Sequence, residues 1–434
     1  MKKQKNTIHR KRNKSLGIVE LIAIALGGMI GGGIFTVLGI SISIIGVFTP
    51  LAFLIGGVLA SLAGYSYVKL AIYYKDEGAT YSFFKKTFPN SPFAASLIGW
   101  WVSFGYISTL ALYAYTFASY ALSVFEFADN NIMRKLTAVA IILVFTLVNI
   151  WSVKGMGKIE DIMVYTKLLI LCIISFVLIN NSNTTLPILL ENNDDFNILS
   201  ILIVASLTFV AFEGFQLVIH AMNEMSEPVI KIPKAIYSAI IITSLIYFII
   251  ALGAILAIPF KNIILHQEYA LASGASDILG HWGSDLVIIG ALLATSSAIS
   301  GTLFGASRLI SVIAKDGYFP SYLSKKRNEI PVYSIITMSI LAFCLILIGD
   351  LKVILEFGSV TFLLVSILMA YSNFKIYKQT NSSLAIIIIS IIFLSVATIL
   401  ILYYQAITQV EQVYFIAGLY IFLTILAWLF SKFK

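Results

Sequence analysis

Two apolar stretches of the chain contain glycine where an uninterrupted helix is expected. The first, ALGGMIGGGIF at residues 25–35, has five glycines among eleven residues. The second, FVAFEGF at residues 209–215, carries Glu213 and Gly214 in the middle of another apolar run. Glycine weakens a helix by roughly 1 kcal/mol relative to alanine, so both stretches predict broken helices. A helix that restarts near Gly33 presents free N–H groups that suit a carboxylate.

The carbonyl groups that such breaks release can bind an ammonium, and we assign this role to the backbone near Met29, Val210 and Glu213. Together with the helix N-terminus they would form a receptor for the backbone of an amino acid. Of the nearby side chains, Val210 and Phe212 are expected to lie beside the substrate. The alternative is that the glycines only permit close helix packing. Two breaks at equivalent places in the two halves of the chain instead favour the central site of a transporter.

Two charged residues lie inside these apolar regions, and an ionisable residue within a membrane span is a functional hypothesis by default. Lys167, in MVYTKLLILCII, can lose a proton and alternate between two states, or its permanent charge can pin neighbouring helices. Glu213 has three interpretations. Its carboxylate faces a cationic substrate side chain, or it is a second proton site, or it caps the broken helix.

Membrane-spanning helices must position these groups. The 434 residues are 59% hydrophobic and 12% charged, and the mean hydropathy is +0.95. A soluble domain carries about twice this charged fraction. Apolar runs long enough to span a bilayer predict twelve transmembrane helices, at residues 17–41, 48–74, 92–125, 134–152, 159–180, 198–222, 233–259, 284–314, 332–349, 353–377, 384–405 and 412–431.

Lysine and arginine are distributed unevenly about these runs. With the N-terminus inside, 24 lie on the inner side and four on the outer side, and Lys167 remains within a span. This bias predicts a multi-pass protein of the plasma membrane with both termini in the cytoplasm. Residues 1–16 form a basic cytoplasmic arm, and the apolar run after them is an anchor rather than a signal peptide. The net charge of +8 therefore reflects the orientation of the chain in the membrane, and no nucleic-acid partner is needed to explain it.

Five motifs in order along the chain resemble the amino acid–polyamine–organocation (APC) transporters: GGMIGGGIF, EGATYSFFKKTFP, FVAFEGF, NEMSEPVIKIPKAI and AKDGYFP. The resemblance covers nearly the whole chain. It implies an all-α polytopic membrane protein with the leucine-transporter fold, which moves its substrate by alternating access. The first repeat would comprise residues 17–180 and the second, inverted repeat residues 198–377, with two additional spans at 384–431.

The resemblance also implies roles for particular residues. Gly31, Gly32 and Gly33 would bind the α-carboxylate, and the carbonyls near Met29, Val210 and Glu213 the α-amine. The proton-coupled prokaryotic members carry a lysine in the fifth span, facing the broken first span and serines of the eighth. By this likeness Lys167 would couple transport to protons, with the matching positions being Thr295, Ser296 and Ser297. Glu213 departs from the pattern, because many relatives have a neutral residue before this glycine.

The sequence therefore predicts a secondary transporter that imports amino acids together with protons. An exchanger of amino acids, or of an amino acid for its amine, is the nearest alternative, and a membrane sensor or channel on the same fold is a different class. No catalytic constellation, phosphate-binding loop or metal-ligand spacing is evident, so we predict neither an enzyme nor a cofactor. The expected partners are the amino acid, protons and membrane lipid, and no protein partner is evident. Aromatic residues such as those of GWWVSFGY in the third span are candidate gates.

Overall fold

The structure is a computed structural model that describes residues 16–76, 78–126, 128–151, 153–182, 185–186, 197–327 and 330–432. The predicted basic arm therefore lies, apart from Leu16, outside the described residues. In the described part the chain is almost entirely α-helical and forms no β-strand. Leu16 and Met225 make one of two isolated bridges there.

The helices of the first half are labelled in chain order. They are α1 (Ile18–Met29), α2 (Gly32–Ile45), α3 (Thr49–Tyr74), α4 (Ala79–Thr87), α5 (Pro92–Leu122), α6 (Asn131–Trp151) and α7 (Val153–Asn180). The first predicted span is broken into α1 and α2, whereas the long third span is a single helix, α5.

The second half begins with α8 (Ile198–Leu207), which continues into a 3-10 segment (Thr208–Phe212). The helices that follow are α9 (Leu217–His220), α10 (Pro228–Ala257), α11 (Phe260–Leu265), α12 (Ala270–Leu279), α13 (His281–Lys315), α14 (Val332–Ile348), α15 (Leu351–Lys375), α16 (Leu384–Thr408) and α17 (Val410–Lys432).

The predicted all-α membrane architecture is confirmed, and each of the twelve apolar runs contains helix. In the described residues, ten helical segments are long and apolar enough to cross a membrane; one of them, Gly32–Tyr74, holds both α2 and α3. Two further apolar helices, α1 and α14, are shorter. Two helices begin before their predicted apolar spans: α7 at Val153, six residues earlier, and α10 at Pro228, five residues earlier. Proline suits the first helical turn, where no N–H partner is required, so Pro228 starts the helix and Pro233 lies inside it.

Contacts between loops show which helix ends share a face of the bundle. We call the end at which α1 begins the N-face. There Leu16 N–H donates to the Glu224 carbonyl at 2.9 Å, after α9. The Tyr81 hydroxyl of α4 donates to Asp316 at 2.8 Å, just beyond α13. The ends of α1, α9 and α13 and the whole of α4 therefore lie at this face.

The opposite end, the far face, is joined by a polar cluster around Arg134 at the start of α6. Its guanidinium is paired with Glu268, which lies between α11 and α12 and also accepts a hydrogen bond from Ser119 at 3.0 Å. Arg134 also donates to the Ala128 carbonyl through Nε at 3.0 Å and Nη2 at 2.8 Å. Burial raises the pKa of Glu268, and the Arg134 charge offsets part of that increase.

We expect Arg134→Gln to lower the thermal unfolding midpoint in detergent at pH 7, because Glu268 would lose the cation beside it. Leaving a partly buried carboxylate unpaired costs about 1–3 kcal/mol. The ion-pair part of this loss requires an ionised Glu268, so it should shrink as the pH falls and Glu268 is protonated. The part due to the bonds with Ala128 should persist at every pH.

Asp129→Asn is the matched control. Asp129 also pairs with Arg134, at 3.4 Å, but its side chain is 76% exposed. Exposed pairs contribute about 0–1 kcal/mol, so the midpoint should barely move. Equal losses in the two variants, or a loss in Arg134→Gln that does not change with pH, would contradict the role given to the Arg134–Glu268 pair.

Candidate functional site

The first helix break lies between α1 and α2, where the backbone of Ile30 and Gly31 is not helical. Lys167 of α7 lies across this break and is fully buried. Its Nζ donates to the Gly27 carbonyl at 2.9 Å and to the Ile30 carbonyl at 2.5 Å. Carbonyls freed by a break need donors from the protein where bilayer water is absent. The Lys167 ammonium supplies them here.

Two tyrosine hydroxyls bind the carbonyls of Gly28 and Met29, which lie between Gly27 and Ile30 in the chain. The hydroxyl of Tyr113 in α5 donates to the Gly28 carbonyl at 3.4 Å. The hydroxyl of Tyr247 in α10 lies 2.8 Å from the Met29 carbonyl and 2.9 Å from the Ala211 carbonyl, so its one proton bridges the two broken helices. The Met29 carbonyl, predicted to bind an ammonium, thus holds a hydroxyl in this structure.

The second break follows the 3-10 segment Thr208–Phe212. Glu213 is extended, with φ −66° and ψ 137°. Gly214 has φ +124°, a conformation that side chains disfavour and glycine adopts readily. The chain then turns into the short helix α9. The predicted interruption in the middle of the sixth span is therefore present in the structure.

The two breaks cross each other with their backbones in contact. A Cβ atom on Gly214 would lie 2.5 Å from the carbonyl carbon of Gly28 and 2.8 Å from the nitrogen of Met29. A Cβ atom on Gly33 would lie 2.9 Å from the Cα of Ala211. No room exists for side chains at these glycines. They therefore serve close packing as well as the break itself, and the two interpretations of the glycines are compatible.

The N-terminus of α2, predicted to bind a carboxylate, is covered by side chains in this structure. A Cβ atom on Gly31 would lie 2.8 Å from the Cβ of Ala298 in α13 and 3.0 Å from the ring of Tyr113. A Cβ atom on Gly32 would lie 3.0 Å from the hydroxyl of Thr116. The first N–H groups of a helix lack partners within the helix, and here α5 and α13 enclose them.

The serines predicted to face Lys167 lie on α13, which packs against α7. A Cβ atom on Gly290 of α13 would lie 2.7 Å from Ile170 of α7. Ser296 and Ser297 are both buried. The Ser297 hydroxyl has no hydrogen-bond partner in the described part of the chain. The structure packs the two helices together, and among the described residues no hydrogen bond joins Ser297 to Lys167.

A small cavity of about 20 Å³ lies on the N-face side of the crossing. It has room for about one water molecule, so the helices around it would have to move apart to admit an amino acid. Of the residues predicted to bind substrate, Glu213 alone lines it. The lining comes from α1, α5, the second break, α9 and α13: Gly28, Tyr106, Thr109, Tyr113, Glu213, Gly214, Leu217, His220, Thr302, Gly305, Ala306 and Leu309.

Val210 and Phe212 do not line this cavity and instead pack against neighbouring helices. A Cβ atom on Gly358 of α15 would lie 3.3 Å from Val210. The ring of Phe212 packs edge-to-face on that of Tyr247, with centroids 5.3 Å apart. Both side chains are buried. In this structure they join the second break to α10 and α15.

Glu213 belongs to a hydrogen-bonded group of side chains at the edge of the cavity. The amide nitrogen of Gln216 donates to Glu213 Oε1 and lies 2.9 Å from the Tyr106 hydroxyl. The amide oxygen of Gln216 accepts the Gly214 N–H at 3.2 Å. Gln216 and Tyr106 were not among the predicted site residues. Their signals were the polar residue three positions after Glu213 and the tyrosine that ends GWWVSFGY.

A second, larger cavity, of about 230 Å³, lies at the far face. Its Ser284 lies 18 residues before Thr302 of the first cavity on the same helix, α13, which is about 27 Å. The second cavity is lined by Ser123, His266, Tyr269, Ala272, Ser273, Ser276, Asp277 and Ser284.

Packed residues separate the two cavities. The hydroxyls of Thr36 in α2 and Thr116 in α5 are 2.5 Å apart. Closer to the far face, a Cβ atom on Gly39 would overlap the Gln267 carbonyl, so α2 is in direct contact with the loop between α11 and α12. The space beside the breaks is therefore closed towards the far face.

Comparisons with known proteins agree over most of the chain. A family model described as amino acid permease matches residues 16–430. The inner membrane transport protein YbaT of Escherichia coli is 28% identical over 389 residues, which cover 88% of this chain and 89% of that protein. The vacuolar cationic amino acid transporter 4 of Arabidopsis thaliana is 23% identical, over 83% of this chain and 64% of its own length. The branched-chain amino acid permease BcaP of Bacillus subtilis is also 23% identical, over 82% and 80%.

We expect Gly214→Ala to destabilise the protein and to impair the site. A side chain at this φ costs about 1–2 kcal/mol, and forcing the backbones apart adds about 1–3 kcal/mol. The thermal unfolding midpoint in detergent should therefore fall clearly below that of the wild type.

Gly418→Ala in α17 provides the control, because nothing lies within 4 Å of the position of its Cβ atom. The substitution should leave the midpoint unchanged or slightly higher, since alanine favours the helix. An unchanged midpoint in Gly214→Ala would show that the two broken helices are not in backbone contact.

Proposed function

The chain belongs to the amino acid permease family of APC transporters, and from this premise we propose that it imports amino acids across the plasma membrane by alternating access, driven by protons. The observation that carries the proposal is the crossing of two broken helices, with the Lys167 ammonium holding the carbonyls of the first. Broken helices that expose backbone at mid-depth are how transporters of this kind bind small ionic substrates.

The packing on the two sides of the crossing supports alternating access. A small cavity lies on the N-face side of the crossing, and α2 is packed on the far-face loop beyond it. We propose that the N-face is cytoplasmic, as the distribution of lysine and arginine predicts. The structure would then correspond to a nearly closed state, from which widening of this cavity opens the site inward. We further propose that residues 17–180 and 198–377 are the inverted repeats that rearrange around the crossing.

Lys167 supports the proton-coupled form of the proposal. Hydrogen bonds from an ammonium are charge-assisted and about twice as strong as neutral ones. Loss of its proton would weaken the attachment of α7 to the break at Gly27 and Ile30. A movement of α1 relative to α7 can in this way depend on protonation, which is the linkage that symport requires.

Uptake of a labelled amino-acid mixture into empty proteoliposomes tests the proposal, with an inward proton gradient and no sodium. A gradient of one pH unit supports about a tenfold accumulation if one proton accompanies each substrate, because one unit corresponds to about 1.4 kcal/mol. Lys167→Gln retains hydrogen-bond donors for the two carbonyls but cannot titrate. We expect it to bind substrate, seen as a thermal shift, without accumulating it above the outside concentration.

Lys135→Gln is the control, since this half-buried lysine at the far face donates to the Leu347 carbonyl at 3.0 Å, away from the breaks. It should accumulate label as the wild type does. If empty vesicles stay empty while vesicles preloaded with amino acids fill, the protein is an exchanger. Accumulation in Lys167→Gln equal to that of the wild type would show that Lys167 is structural. Binding without any transport would indicate a sensor.

A further inference from the structure

Glu213 is a buried carboxylate, and only one of its two oxygens accepts a hydrogen bond from the described residues. Its side chain belongs to a residue that is 5% exposed, and Oε1 accepts a hydrogen bond from Gln216. No hydrogen bond to Oε2 is seen among the described residues, although Glu213 lines the cavity. A buried carboxylate without a donor or counter-charge is costly. Oε2 is therefore the oxygen of Glu213 that is left for a ligand in the cavity.

Glu213 has no lysine or arginine beside it among the described residues that line the cavity, and in the described chain none forms an ion pair with it. Its nearest polar neighbours include the hydroxyls of Tyr106 and Tyr113, which are neutral groups. His220 is the other titratable lining residue in the short helix that follows, and it has a hydrogen-bond or electrostatic partner of its own. The cavity thus holds a carboxyl group that no lysine or arginine of the lining accompanies.

Gln216 holds this carboxylate in place. Its amide makes three hydrogen bonds. The nitrogen donates to Glu213 and to the Tyr106 hydroxyl, and the oxygen accepts from the Gly214 N–H. It is Gln216, therefore, and not Glu213 that binds the backbone of the break. The capping interpretation of Glu213 loses its basis, and the carboxylate is presented to the cavity by a rigid neighbour. Such positioning is what recognition of a charged group requires.

We infer that the site selects amino acids whose side chain ends in a cation, an ammonium or a guanidinium, and that Glu213 binds this cation. Gln216 and Tyr106 are positioning residues for the carboxylate. The inference rests on the proposed function, because it takes the cavity to be the substrate site. A neutral aliphatic side chain in the same place would leave Oε2 buried without a donor, whereas an ammonium or guanidinium donates to it and to the hydroxyls of the lining.

Arginine and citrulline are the sharpest pair of probes, since citrulline has nearly the shape of arginine without its charge. Binding is measured as the thermal shift of the purified protein, and transport as competition with labelled uptake into proteoliposomes. For the wild type we expect arginine, lysine and ornithine to compete at least about tenfold better than citrulline and norleucine. In Glu213→Gln this preference should be lost or reversed while citrulline still binds.

Glu356→Gln is the matched control. Glu356 is a second buried carboxylate, on α15, which accepts a hydrogen bond from Gln405 at 3.0 Å and does not line the cavity. The preference for arginine over citrulline should persist in this variant. Gln216→Met should fold and bind but show a reduced preference, because the carboxylate would lose its support. A residue that only stabilised the fold would change both affinities equally.

The outcomes separate this inference from the proposed function. Transport of neutral amino acids with no preference for arginine in the wild type would overturn the inference and leave amino-acid transport intact. An unchanged preference in Glu213→Gln would also overturn it. Equal competition by cadaverine, which is lysine without its carboxylate, would overturn the assignment to amino acids and indicate an amine site. Loss of the preference in Glu213→Gln alone, with citrulline binding retained, supports the inference.

Discussion

The structure depends on hydrogen-bond donors for the backbone carbonyl groups that lose their helical partners at the break between α1 and α2. Within a bilayer such groups have no water to bind, so the protein must satisfy them. The Lys167 ammonium holds two of them, from Gly27 and Ile30, and the hydroxyl of Tyr247 bridges the carbonyls of Met29 and Ala211. These donors come from α7 and α10. The break is thereby tied to helices on two sides, and both broken helices share one of the donors.

This arrangement connects stability with transport. The glycines at the crossing bring the backbones of Gly28 and Gly214 into contact, which leaves the carbonyls accessible to few groups besides the ones that now bind them. A substrate ammonium that enters the break would compete with the Tyr247 hydroxyl for the Met29 carbonyl. A proton that leaves Lys167 would weaken the other attachment. The backbone carbonyls of the break could in this way exchange one hydrogen-bond donor for another, which gives a physical basis for alternating between two conformations.

The sequence was sufficient for the architecture because hydropathy and glycine act locally. Apolar runs predicted the helices, and the glycines marked both breaks. The helices α7 and α10 begin before the predicted spans because hydropathy locates an apolar run, and lysine-containing turns of helix precede both of these runs. Val210 and Phe212 were placed beside the substrate, but the structure packs them on α15 and α10. Which face of a 3-10 segment meets a cavity depends on tertiary packing, which spacing alone does not reveal.

The side chains that surround Glu213 could not be predicted from the sequence for a related reason. Tyr106 is 107 residues away from Glu213 in the chain, and no local pattern relates the two. Gln216 was close, but its role depends on Gly214 turning the backbone so that the amide reaches back to it. The resemblance to the APC transporters directed attention to Lys167, whereas the hydrogen bonds to Gly27 and Ile30 came only from the structure. Contacts between single side chains that are far apart in the chain are therefore the part of the site that only the three-dimensional structure reveals.

Proton movement with amino-acid entry, through a site tied to Lys167, can be measured as the internal pH of proteoliposomes. An entrapped pH-sensitive dye reports this pH after an amino-acid mixture is added outside at equal pH. We expect acidification of the lumen that requires substrate and is absent in Lys167→Gln. Entry of labelled amino acid without any acidification in the wild type would contradict it.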